Sequence, residues 1–86
     1  MPEISRFFGI KIFMYFDDHN PSHFHAIYGE WEALIAIEDL KIIKGELPPR
    51  AYGLVVEWAS IHKRELEADW KLTSKQQIPN KIKPLS

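Results

Sequence analysis

The stretch "HFHAIYGEWEALIAI", residues 23–37, decides how this chain folds. Placing Gly29 and Glu30 in a two-residue loop, with glycine first as a type II′ turn prefers, makes it a β-hairpin of definite register, with Tyr28 opposite Trp31. Side chains alternate across a strand, so Phe24, Ala26, Tyr28, Trp31, Ala33 and Ile35 then share one face. His23, His25, Ile27, Glu32, Leu34 and Ala36 share the other. The first face is apolar and aromatic and belongs to a core, which places Trp31 there too. The second carries the imidazoles.

Upstream, "ISRFF" and "IKIFMYF" flank Gly9 and are rich in β-branched and aromatic residues, which suit a pleated, half-buried surface. They predict strands near residues 3–8 and 10–16. In the second, Ile10, Ile12, Met14 and Phe16 fall on the core face, and Lys11, Phe13 and Tyr15 on the other. "DDHNP", residues 17–21, supplies turn residues, with Pro21 biasing Asn20 towards an extended conformation. Downstream, a turn at Glu38 and Asp39 leads to a short strand, "LKIIK", ended by Gly45.

From Pro48 the period changes. Pro48 or Pro49 suits a first helical turn, and Ala51, Leu54, Val55, Trp58, Ala59 and Leu66 recur at helical spacing, giving one amphipathic helix to about residue 71. Gly53 weakens that helix, so packing on the sheet must support it. The expected architecture is therefore α+β: an antiparallel meander of four to five strands, then one long C-terminal helix packed on one face. Residues 1–72 form a single domain. Residues 73–86 contain two prolines and little periodicity and read as a basic, flexible tail, whose Ile78, Ile82 and Leu85 could dock on the body or on a partner.

Composition limits the function classes. The 86 residues have 45% hydrophobic, 27% charged and 13% aromatic side chains, which suits a folded globular protein and not a disordered one. No apolar run approaches the roughly 18 residues of a spanning helix, and "MPEISRFF" lacks the pattern of a signal sequence. A cytoplasmic protein with no membrane association is expected. The chain has no cysteine, so any metal would be held by His, Asp or Glu. The net charge of −1 conceals an asymmetry: residues 1–70 carry −5, and residues 71–86 carry four lysines and no acid. An acidic body argues against a broad cationic nucleic-acid face, while the tail or a local patch could still meet phosphates or an acidic partner.

Three of the four histidines fall within seven positions. On a strand, His23 and His25 place both rings on one face with Cα atoms about 6–7 Å apart. His19, in the preceding turn, could fold back as a third nitrogen ligand, with Asp17, Asp18 or Glu32 supplying oxygen. That set would suit a divalent metal such as zinc, with an open position for a nucleophilic water. Without metal, His23 and His25 could serve as base and acid in RNA cleavage, with Arg6, Lys11 or Arg50 as the phosphate-binding cation. In the plainest reading, the rings only hydrogen-bond to backbone or to nearby carboxylates. His62 lies within the helix stripe. It is either a buried ring bonded to a strand or to Glu65, or a further site residue if the helix packs near the histidine face. Trp58 and Trp31 read as core, and Trp70 as the exposed tryptophan. The sequence contains no glycine-rich phosphate loop, no His-Glu-x-x-His helix and no serine elbow, which leaves nucleotide hydrolysis, zincin proteolysis and serine esterase chemistry without support.

"ISRFFGIKIFMYFDDHNPSHFHAIYGEWEALI" followed by "GELPPRAYGLVVEWASIHKREL" resembles the small bacterial proteins grouped as domain of unknown function 4160, nearly throughout the chain to about residue 72. The most specific part is Asp18-His19-Asn20-Pro21 with His23-Phe24-His25, joined by Glu57-Trp58 and His62. Ser22 stands where a proline is expected, which loosens the turn and keeps the histidines. The family brings no established reaction. Its members look like one half of two-gene modules, encoded beside another small protein in the manner of toxin–antitoxin pairs. The resemblance therefore implies a small protein partner encoded nearby and an RNA-directed activity. A non-enzymatic interaction domain is the third alternative.

Overall fold

The computed structural model describes residues 2–16 and 19–86. Five strands form one sheet in chain order, β1 (Glu3–Phe7), β2 (Ile10–Phe13), β3 (His23–Tyr28), β4 (Trp31–Ala36) and β5 (Ile42–Gly45), and every neighbour is antiparallel. Two helices follow, α1 (Pro49–Ile61) and α2 (Lys63–Ser74).

The β3–β4 register is the one the Gly29-Glu30 loop dictates. Phe24 lies opposite Ile35, Ala26 opposite Ala33 and Tyr28 opposite Trp31. Ile12 continues the Ala26–Ala33 row into β2. This face is buried beneath the helices, where Trp58 meets Phe24 edge-on at 5.9 Å and Phe7 at 5.3 Å between ring centroids. Three residues of the expected core face are wet: Tyr28 and Trp31 are 38% and 39% exposed at the hairpin end of β3 and β4, and Phe16 is exposed beyond the end of β2, all at the margins of the sheet.

The single long helix is in fact two. His62 interrupts it with φ −111° and ψ 25°, its N–H shared between the Trp58 and Ala59 carbonyls. Just before the break, the Ser60 hydroxyl donates to the Glu57 carbonyl at 2.9 Å, a back-bond that competes with the helical ladder and bends helices. Buried positions nonetheless continue in phase across the break, from Ala51, Val55 and Trp58 to Leu66, Asp69 and Thr73, and periodicity alone therefore reads through it. At the far end, Gln76 (φ +59°) closes α2 in a Schellman motif, with Gln76 N–H bonded to Thr73 O and Gln77 N–H to Leu72 O.

Residues 77–86 have no regular secondary structure and lie against the body. Ile82 is buried and its N–H donates to Ile4 O at 2.7 Å, on the edge strand. Trp58 Nε1 donates to Lys83 O at 2.9 Å, and Asn80 N–H to Asp69 Oδ1 at 2.9 Å. Leu85 packs at the core's margin, while Ile78 is exposed. No helix is long and apolar enough to cross a membrane among the described residues.

Candidate functional site

The register that buries Phe24 turns His23 and His25 to the opposite face of the sheet. There, Phe13, His25, Leu34 and Lys44 form one cross-strand row, and Arg6, Lys11, Ile27 and Glu32 form the next. Both histidines are nevertheless largely sheltered, at 6% and 8% exposure. Aromatic neighbours account for this. His25 packs edge-on against Tyr15 at 4.2 Å, Tyr15 stacks on Phe13 at 6.3 Å, and His23 lies 5.2 Å from the Trp70 ring of α2. The two imidazoles are 5.3 Å apart between centroids, with planes inclined by 55°.

Each ring is oriented through Nδ1. His23 Nδ1 lies 2.8 Å from Pro21 O, which can only accept, so Nδ1 carries the proton and Nε2 is the acceptor in the neutral ring. His25 Nδ1 lies 3.3 Å from Glu32 Oε2, and an imidazolium there would form an ion pair with that carboxylate. Pro21 O sits two residues before His23 in the chain, so the first contact is local. A cleft of about 300 Å³ is lined by Ser22, Glu67, Lys71 and Trp70, the last of which contacts the His23 ring.

The other expected residues are placed differently. His19 is exposed in the turn, and among the described residues no group of three or more His, Asp or Glu side chains is assembled to hold a metal ion, so the expected His19–His23–His25 ligand set is not brought together. Asp17 and Asp18, proposed oxygen donors, lie outside the described residues. Arg6 is engaged by Glu3 through two hydrogen bonds of 2.8 and 2.9 Å, which hold the Glu3 carboxyl below its ordinary value and the guanidinium above its own. Lys11 shares the histidine face, two residues along β2 from the partner of His25. Arg50 is at the far end of the sheet, near Tyr28. His62 occupies the break between the helices. Its partly exposed ring hydrogen-bonds to Glu65 at 2.5 Å and packs against Trp58.

A family model described as Domain of unknown function (DUF4160) matches residues 9–71. The chain belongs to the DUF4160 family. The matched region of this DUF4160 protein spans β2 to most of α2 and contains all four histidines, Tyr15, Glu32 and Trp70. No curated protein and no solved structure matches the chain.

Two partners of the site escaped sequence reasoning. Alternation placed Tyr15 on the correct face, but its edge-on contact with His25 depends on how the chain leaves β2. Trp70 reaches His23 across 47 positions of sequence, a contact that only the packing of α2 against the body creates.

One further polar group stands apart. Asp69 is 1% exposed, with Oδ1 accepting the Asn80 N–H and Oδ2 lacking a hydrogen-bond partner among the described residues. Burial pushes its carboxyl up, with a smaller push from the charge of Glu65, against the lowering effect of the Asn80 bond.

Proposed function

We propose that this DUF4160 protein is the RNA-cleaving half of a toxin–antitoxin-like pair, acting in the cytoplasm, with His23 and His25 as its acid–base pair. The observation that supports this reading is the pair itself: two adjacent imidazoles on one face, each fixed through Nδ1, one by a neutral carbonyl and one by a carboxylate. His23, bonded to Pro21 O, is the base, and His25, whose imidazolium would pair with Glu32, is the acid.

In the proposed reaction His23 Nε2 takes the proton of a 2′-hydroxyl, and the 2′-oxygen attacks the adjacent phosphorus. The bond from phosphorus to the 5′-oxygen breaks, and His25 delivers its Nε2 proton to that oxygen. The products are a 2′,3′-cyclic phosphate and a 5′-hydroxyl. The flanking cleft offers Trp70 as a stacking surface for a base and Lys71 as a cation for phosphate. A small protein encoded nearby would hold this activity in check.

The test is cleavage of a defined single-stranded RNA by purified protein in the presence of a chelator. Wild-type protein should cleave, His23→Ala and His25→Ala should each lose about 100-fold or more in rate, the ordinary range for a positioned acid or base, and both variants should retain the wild-type circular dichroism spectrum. Folded variants that cleave as well as the parent, or a parent that does not cleave, would overturn the proposal.

A further inference from the structure

At the opposite end of the sheet, the β1–β2 turn, the end of β3 and the first turns of α1 form a cleft of about 410 Å³. Its walls include Phe8, Ile10, Tyr28, Ala51 and Leu54, and its one charged lining residue is Arg50. The volume falls in the range of small-molecule sites, and the combination of apolar walls with one placed polar group is their usual chemistry.

Two features indicate a ligand rather than an incidental dent. Phe8 occupies the first position of a two-residue hairpin loop at φ +49°, a left-handed conformation for which Asn, Asp or Gly is the low-strain choice. The residue is 59% exposed, so burial does not offset that strain. Residues held in such sparsely populated backbone conformations cluster at ligand clamps and active sites. The second feature is charge. Among the described residues Arg50 has no carboxylate within ion-pair distance, and the first turn of α1 holds no acidic residue. A body with a net charge of −5 over residues 1–70 thus leaves uncompensated positive charge at the rim of an apolar cleft.

We infer that this cleft binds a small aromatic carboxylate, its ring seated between Phe8 and Tyr28 and its carboxylate on the Arg50 guanidinium. A guanidinium and a carboxylate match in a planar, two-bonded fork, and flat apolar walls suit an aromatic body. This inference stands independently of the chemistry at His23 and His25.

The experiment is a ¹H–¹⁵N titration of the full chain with 1-naphthylacetate and phenylacetate, and with 1-naphthylacetamide as the neutral match. The expected result is saturable shifts centred on Phe8, Gly9, Tyr28 and residues 50–54, with the amide binding about tenfold more weakly than its acid, as loss of one charge-assisted contact implies. Arg50→Gln should lose the same factor and abolish the preference for the acid. Phe8→Asn should bind more weakly while melting at a higher temperature than the parent, which separates loss of the site from loss of the fold. Absence of saturable shifts with both carboxylates, equal affinity for acid and amide, or an Arg50→Gln variant that binds like the parent would each overturn the inference. Saturable shifts confined to the His23–Trp70 end would do so as well.

Discussion

Replacing Trp58 with Phe removes the donor that reaches the C-terminal segment and the second ring of a fully buried side chain, while keeping one aromatic ring against Phe7 and Phe24. The lost hydrogen bond to Lys83 O should account for about 1 kcal/mol. Lost burial and the cavity left behind should add about 1–3 kcal/mol. An 86-residue domain has roughly 4–13 kcal/mol in total, so the variant should be folded but substantially weakened. Denaturant unfolding is the assay, with an expected loss of about 2–4 kcal/mol at unchanged m-value. A second arm isolates the hydrogen bond. In a chain ending at Pro79, which lacks Lys83, the same substitution should cost about 1 kcal/mol less, because its partner is already gone. Equal losses in the full and shortened chains would refute the reasoning, since they would mean that the C-terminal segment contributes nothing at Trp58.

Two glycines should respond in opposite directions. At Gly45, with φ +82°, an added Cβ would meet the Glu32 carbonyl oxygen at 2.2 Å, so Gly45→Ala should destabilise by about 2 kcal/mol or more. At Gly53 in α1 a Cβ would meet open space, and Ala should stabilise by about 0.5–1 kcal/mol in the same unfolding assay. Asp69→Asn tests the buried carboxyl. Its raised folded-state value means that the native chain holds the proton more tightly than the unfolded chain, so the contribution of Asp69 to stability is present at acid pH and is lost as pH rises through that raised value. The melting temperature of the Asn variant relative to the parent should therefore climb as pH rises from below the ordinary carboxyl range through the raised Asp69 value. A flat or falling difference would contradict the assignment.

The fold was legible wherever a local rule sets a long-range outcome. The Gly29-Glu30 loop fixes β3 against β4, and alternation from that loop turns His23 and His25 away from Phe24. Helical spacing located α1 and α2 together but could not separate them, because the buried stripe keeps its phase through His62, where the backbone leaves helical geometry. Exposure at the margins was equally hidden. Trp31 follows the correct face of β4, but it stands beside the hairpin turn at the sheet's margin and is exposed. At the candidate site the sequence supplied the histidines and Glu32. Trp70 and the Pro21 carbonyl entered only with the tertiary structure, since one arrives on α2 and the other is a backbone group whose direction depends on the turn.

Analysis of the RNA ends bears most directly on the acid–base pair of His23 and His25. With chelator present, the account predicts 2′,3′-cyclic phosphate and 5′-hydroxyl ends, formed by the parent and by Glu32→Gln at a reduced rate, and lost in His23→Ala and His25→Ala. Ends bearing 3′-hydroxyl and 5′-phosphate, or cyclic phosphate formed undiminished by the His25→Ala protein, would contradict it.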